Sequence, residues 1–239
     1  KKQKEGNLSL YIQQIIISLS NIPLLMKFMR ACPIPDLDIE ALLKTIRSEL
    51  LLNLSIVKTD PNILSFQLSL AEQCFINEYL YEKTEIESKR LIELEGIVKN
   101  NLLNENLATA NDLACIASYK AIGEYSCASL SSMPAELQDL YRRQVLEPRK
   151  ENDLRSTIIK HKTITDNISS KVREQYEKNP YPRWINLRML PSPLSITVFA
   201  NRLNLKIHDI NILGVDAPKI LQAGCGTGQH TIETASTFK

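Results

Sequence analysis

The stretch KILQAGCGTGQH, residues 219–230, contains three of the seven glycines in the chain. Apolar residues lead into these glycines, which predicts a strand over Lys219–Ala223, then a sharp turn, then a helix over Gln229–Ser236. Glycine lets the backbone turn tightly and approach a ligand because it has no Cβ. The first turn of the helix adds unpaired N–H donors at the same place. The pattern therefore predicts a loop that binds a nucleotide-type ligand.

The Gly-x-Gly-x-Gly spacing argues against two common nucleotide-binding loops. A dinucleotide fingerprint requires glycine at position 229, and a P-loop requires a Gly-Lys-Ser/Thr triplet in this region. Gln229 and His230 stand there instead. The P-loop is therefore excluded, and a nicotinamide-dependent enzyme is disfavoured. The structural alternative is a glycine-rich turn that binds nothing.

The string AGCGTG, residues 223–228, resembles the first motif of class I S-adenosylmethionine-dependent methyltransferases. The resemblance implies a Rossmann-like sheet of seven strands and S-adenosylmethionine as the cofactor. It implies a set of residues that line the cofactor: Gln222, Ala223, Gly224, Cys225, Gly226 and Gly228. Many members of this class have an acidic residue where this chain has Gln222. An amide accepts a hydrogen bond through its carbonyl but carries no negative charge.

Two further segments narrow the resemblance: AEQCFINEY, residues 71–79, and VREQYEKNPYPRW, residues 172–184. They resemble a bacterial methyltransferase group with a helical N-terminal half, often described as carrying tetratricopeptide repeats. The nearest likeness is to the rickettsial lysine methyltransferases that act on outer membrane protein B. The resemblance runs from about residue 60 to the end of the chain. It implies that the methyl acceptor is a lysine of a surface or outer-membrane protein.

The NPYPRW segment, residues 179–184, cannot form a regular helix because its prolines remove N–H donors and restrict the residues before them. One interpretation is a lid in which Tyr181 meets the cofactor and Arg183 pairs with the cofactor's carboxylate. The other is a stiff linker in which Trp184, the only tryptophan, packs between domains. The sequence leaves both open, with Trp184 favoured for packing.

The rest of the chain is predicted to be helical. Few glycines and 44% hydrophobic residues favour a packed helical array over a turn-rich β protein. The predicted helices are Leu8–Ser20, a short helix from Pro23, a long helix capped by Asp36 or Asp38, a helix opened by Asp60 and Pro61, Glu85–Asn100, Glu105–Ile122, Pro134–Leu146, Pro148–Lys160, Asp166–Lys178 and Ser195–Leu205. The predicted organisation is a helical domain over residues 1–165, a linker or lid over 166–206, and the start of a Rossmann-like domain over 207–239.

Composition limits the other functions. A net charge of +2 gives no reason to expect nucleic acid as a partner. Five scattered cysteines without zinc-ligand spacing predict no metal site and fit a reducing, cytoplasmic setting. The apolar stretch over residues 8–29 is interrupted by polar residues and by Pro23, which predicts a buried helical pair. A targeting segment and a membrane span are the alternatives there.

The catalytic residues cannot be named from the sequence. His230, in the first turn of the predicted helix, is the only candidate base near the glycines. The acidic residue that usually grips the cofactor's ribose would lie about 20 residues further on. We therefore expect the chain to be the N-terminal part of a longer enzyme that alone binds S-adenosylmethionine poorly or not at all. The alternative is a helical interaction or homodimerisation module, with Leu8–Ser20 as the subunit interface and a vestigial cofactor loop.

Overall fold

The computed structural model describes residues 2–57, 60–103, 109–125, 134–158, 166–178, 180 and 183–238. Helix accounts for 68% of these residues, and none of them lies in a strand. The chain divides into two compact units, residues 1–169 and residues 170–239. The predicted mainly helical class is therefore confirmed.

Three helices of the first unit, α3, α5 and α7 in the following list, begin at a residue whose side chain caps them. The helix bounds of this unit are α1 Lys2–Ser20, α2 Pro23–Ala31, α3 Leu37–Leu52, α4 Leu54–Val57, α5 Pro61–Ile76, α6 Glu85–Leu103, α7 Ala110–Ala117, α8 Gln138–Tyr141 and α9 Glu147–Arg155. Of the two candidate caps for α3, Asp36 accepts hydrogen bonds from the N–H groups of Asp38 and Ile39, at 3.1 and 3.0 Å. Asp60 caps α5 as predicted, and Pro61 takes the first helical position.

Helix α5 lies between two hydrophobic clusters and contributes to both. Its residues Ile63, Phe66 and Leu70 join the cluster formed with α1, α2 and α3. Its Ala71 joins the cluster formed with α6, α7 and α8. Eleven of the sixteen residues of α5 are buried, so this helix is the centre of the first unit. Burial of apolar side chains on both sides is the main force that holds the array together.

One buried ion pair joins α3 to the first turn of α6. Arg47 and Glu87 are 1% and 2% exposed, and Nη2 of Arg47 lies 3.8 Å from Oε1 of Glu87. The Tyr119 hydroxyl donates to the same carboxylate at 2.6 Å. Arg47 also donates to the backbone carbonyl of Glu82 at 2.8 Å. Buried charges need such partners because the interior does not solvate them.

The segment predicted as one helix over Pro134–Leu146 has three conformations. A 3-10 turn over Ala135–Leu137 leads into α8, and a π-helix over Arg142–Leu146 follows it. Pro148 explains the change, because an α-helix would pair the Gln144 carbonyl with an N–H that proline lacks. In the π-helix each carbonyl pairs with the N–H five positions on, so that pairing does not need the missing N–H of Pro148. The Gln144 side chain accepts from the Ile122 N–H at 3.0 Å and so fixes a second 3-10 turn, Ile122–Glu124.

The second unit is smaller and built from short elements. It contains most of α10 Asn167–Lys178, followed by α11 Ile196–Arg202, a 3-10 turn over Ile210–Gly214 and α12 Gln229–Thr237. Ser195 caps α11 by accepting from the Val198 N–H at 3.3 Å. An isolated parallel bridge joins Leu194 to Phe238.

The predicted strand over Lys219–Ala223 is not present among the described residues. A strand forms only beside another strand that pairs its backbone groups. In residues 183–238 the bridge between Leu194 and Phe238 is the only such pairing. The apolar side chains therefore stay uncovered: Ile220 is 51% exposed and Leu221 is 94% exposed. The start of a Rossmann-like sheet is thus not formed in this part of the structure.

The remaining helix predictions differ mainly at their ends. The helix predicted over Glu105–Ile122 runs only from Ala110 to Ala117, and positions 104–108 lie outside the described residues. The apolar stretch near the N-terminus forms α1 and α2, which contribute Ile16, Met26 and Met29 to the core. Within the described residues, no single helix has the length and hydropathy of a membrane span. The bent pair Leu10–Ser20 and Pro23–Ala31, at 86°, passes that test only when taken together.

Candidate functional site

The three glycines of the predicted loop all adopt left-handed backbone conformations. Their φ angles are 75° at Gly224, 53° at Gly226 and 83° at Gly228. Residues with a Cβ rarely adopt such φ angles, so glycine is the favoured residue at these three alternate positions of the turn. The Gly228 N–H donates to the Cys225 carbonyl at 2.9 Å, and the Gly228 carbonyl accepts from Ile232 at 3.0 Å. The turn therefore passes directly into α12, as the sequence predicts.

The space beside the turn is open. A Cβ added at Gly224, Gly226 or Gly228 would meet no heavy atom within 4 Å. The glycines are therefore not required for packing against the described part of this unit. Gly123 in the first unit is the opposite case, because a Cβ there would lie 2.6 Å from the Gln144 carbonyl oxygen. The open space leaves the backbone of the turn accessible to a ligand.

Gln222, just before the turn, has an enclosed acceptor without a partner. Its Oε1 atom is buried and makes no hydrogen bond to any described residue. The residue lines a cavity of about 410 Å³ together with side chains from α12, among them Thr231 and Thr234. A buried carbonyl oxygen without a donor costs free energy. This acceptor therefore suits a ligand that brings a donor.

The NPYPRW segment contacts the glycine turn through its tryptophan. The indole N–H of Trp184 donates to the backbone carbonyl of Thr227 at 3.0 Å, between two of the glycines. Arg183 is partly buried beside it. Tyr181, predicted to meet the cofactor, lies outside the described residues. The structure thus joins Trp184 to the turn by a polar contact that the sequence did not indicate.

The first two turns of α12, directly after the glycines, carry two titratable side chains, His230 and Glu233. Glu233 accepts from the backbone N–H of Arg188 at 2.9 Å, and this bond lowers the pKa of the Glu233 carboxyl. The Gln229 amide and the charge of His230 lower it further. Nδ1 of His230 lies 3.7 Å from the Glu233 carboxylate, and the imidazole is 79% exposed. His230 therefore lacks the enclosed setting that tunes a catalytic base.

A metal centre is not indicated in the described part of the chain, where no three His, Cys, Asp or Glu side chains cluster as ligands. Comparison with protein families, curated proteins and solved structures found no match to this chain. The site must therefore be interpreted from its own geometry.

Proposed function

We propose that the glycine turn binds S-adenosylmethionine and that the chain carries the cofactor loop of a class I methyltransferase. The observation that carries the proposal is the set of three left-handed glycines, spaced by two and opening directly into α12, with free volume on the Cβ side. A turn retained only for packing would show close contacts at these glycines. The AGCGTG string, residues 223–228, adds the resemblance in sequence.

The residues around the turn match the groups of this cofactor. The backbone at Gly224, Gly226 and Gly228 leaves room for its methionine part. The unpartnered Oε1 of Gln222 is an acceptor suited to the cofactor's ammonium. Arg183 is the candidate partner for its carboxylate, since guanidinium and carboxylate pair in a bidentate manner.

Bound S-adenosylmethionine supplies the electrophilic methyl group, and the protein supplies position and electrostatics. We further propose a protein lysine as the acceptor, which follows from the resemblance in residues 71–79 and 172–184. A lysine must lose its proton before it attacks, and its ordinary pKa is about 10.4. The acceptor pocket must therefore lower that pKa or provide a proton acceptor.

Ligand-observed NMR of the 239-residue chain tests the cofactor proposal. We expect saturation transfer to S-adenosylhomocysteine with a Kd of about 1 mM, which is about −4 kcal/mol. Gly226→Val should abolish the signal, because its side chain occupies the open volume and its φ of 53° is unfavourable for valine. Gly214→Ala is the matched control, since its Cβ also meets nothing within 4 Å.

Two results would refute the cofactor proposal. One is the absence of saturation transfer to S-adenosylhomocysteine in the unaltered chain, since the proposal commits to weak binding by this chain rather than to none. The other is equal transfer to NAD, since the spacing at Gln229 disfavours a dinucleotide.

A second candidate function is a helical interaction module. Large apolar side chains on the first two helices remain uncovered in the first unit: Leu10 is 59% exposed, Tyr11 61%, Leu24 65% and Phe28 49%. Exposed apolar side chains that form one contiguous patch often mark protein interfaces, and this candidate requires that these four do so. This candidate predicts a dimer by light scattering that becomes a monomer in a Leu24→Gln, Phe28→Gln variant. A monomeric unaltered chain would remove it.

A further inference from the structure

A second cavity of the C-terminal unit lies on the α11 side of α12 and has a volume of about 360 Å³. Ligand pockets of proteins usually begin at about 300 Å³. The cavity is lined by side chains from α11, from α12 and from the segment before α11: Arg188, Leu190, Leu194, Phe199, Arg202, Leu203, His230, Glu233, Thr234, Thr237 and Phe238. None of the three glycines of the turn lines it.

One wall of this cavity is aromatic and aliphatic. The rings of Phe199 and Phe238 meet edge to face, with centroids 5.1 Å apart. The Leu194 N–H donates to the Thr237 carbonyl at 2.7 Å and holds this wall in place. Leu190 is 39% exposed and Leu203 is 56% exposed, so both present apolar surface to water. An apolar ligand group in the cavity would cover that surface, which is favourable.

The charged groups of the cavity are unevenly paired. Glu233 is already engaged by the Arg188 backbone N–H at 2.9 Å and by the Gln229 amide at 3.4 Å. His230 approaches the same carboxylate at 3.7 Å. Arg202 also lines the cavity and makes no ion pair with another described residue. The lining therefore contains two arginines, Arg188 and Arg202, and one carboxylate residue, Glu233, so its formal charge is positive.

We propose that this cavity binds a small organic acid with an aromatic or branched apolar group. The apolar group lies against Phe199 and the exposed leucines, and the carboxylate faces Arg202 and Arg188. Guanidinium groups favour carboxylates because their fork of N–H donors matches the two oxygens. A lysine side chain would be repelled by the same cations, so this cavity is not a site for a lysine acceptor. The inference does not depend on cofactor binding at the glycine turn.

Protein-observed NMR of the full chain with 3-phenylpropionate as the probe tests this inference. We expect the amide signals of Leu194, Thr234 and Thr237 to shift, with saturation below about 10 mM. The neutral 3-phenylpropanamide and the ring-free propionate should each bind more weakly. Arg202→Gln should weaken binding of the acid about threefold to fivefold, as expected for a partly exposed ion pair. Lys206→Gln removes an exposed charge outside the cavity and should change nothing.

Comparing 3-phenylpropionate, 3-phenylpropanamide and propionate on the unaltered chain tests the proposal even if a variant fails to fold. Equal affinity for the acid and the amide would overturn the proposal, as would equal affinity for 3-phenylpropionate and propionate. The proposal would also be overturned if the amide signals of Leu194, Thr234 and Thr237 did not shift at about 10 mM 3-phenylpropionate. If Arg202→Gln and Lys206→Gln lost the same amount of affinity for 3-phenylpropionate, the effect would be one of general charge and the site would be rejected. S-adenosylhomocysteine is absent from these samples, so the outcome is separate from that of the cofactor test.

Discussion

Gly123→Ala should destabilise the first unit although alanine is normally the better residue in helical turns. A Cβ at position 123 would lie 2.6 Å from the Gln144 carbonyl oxygen, whereas real Cβ atoms stay beyond about 3.0 Å. The Ile122–Glu124 turn must therefore move about 0.4 Å away from the π-helix. Gln144 is 1% exposed, and its backbone is held on both sides by helix, so the shift has little room.

The cost follows from that displacement. Overpacking of this kind costs about 1–3 kcal/mol. The shift also strains the hydrogen bond from the Ile122 N–H to the Gln144 side chain, which contributes about 1 kcal/mol. Replacing glycine regains about 0.5–1 kcal/mol through the unfolded chain. We expect a net loss of about 2 kcal/mol in the free energy of unfolding.

Urea unfolding followed by far-UV circular dichroism measures this change. Gly96→Ala is the matched control, because Gly96 is exposed in the middle of α6 and a Cβ there meets nothing within 4 Å. That variant should gain up to about 1 kcal/mol. The reasoning is refuted if Gly123→Ala is as stable as the unaltered chain while Gly96→Ala shows its expected gain.

Two further predictions concern the polar contacts. Trp184→Phe removes the indole N–H that Thr227 accepts, so S-adenosylhomocysteine should bind about twofold to tenfold more weakly by saturation transfer; an unchanged Kd would show that the contact does not shape the turn. Burial acts to raise the pKa of Glu87, but hydrogen bonds from Tyr119 and Thr84 and the charge of Arg47 lower it below 4.5. The unfolded state therefore binds more protons than the folded state, so the ionised Glu87 stabilises the fold. This contribution to the free energy of unfolding is present above pH 4.5 and is lost as the pH falls through the lowered pKa. Urea midpoints should fall less steeply with acid in Glu87→Gln than in the unaltered chain, and parallel pH curves would contradict the assignment.

Features that depend on neighbouring residues could be predicted from the sequence. The caps Asp36 and Asp60 bond to N–H groups two or three positions away. The left-handed angles of the glycine turn likewise follow from the local need for a residue without a Cβ. These structures are set within one turn of chain.

Features that depend on distant residues could not be predicted. The Tyr119 hydroxyl reaches Glu87 across 32 positions, and the Trp184 indole reaches Thr227 across 43. A single sequence carries no periodic signal for such pairs. The strand expected at Lys219–Ala223 fails for the same reason, because a strand depends on a partner that local pattern does not provide. The break in the helix near Gln144 is an exception that the sequence could have predicted, because Pro148 has no N–H to pair with the Gln144 carbonyl.

The most direct test of the cofactor loop is an NMR titration of the chain labelled with ¹⁵N only at its seven glycines. On addition of S-adenosylhomocysteine, the amide signals of Gly224, Gly226 and Gly228 should move. Those of Gly96 and Gly123, in the other unit, should stay in place. The account would be contradicted if the amide signals of the three turn glycines did not move at saturating ligand, or if only those of Gly96 and Gly123 moved.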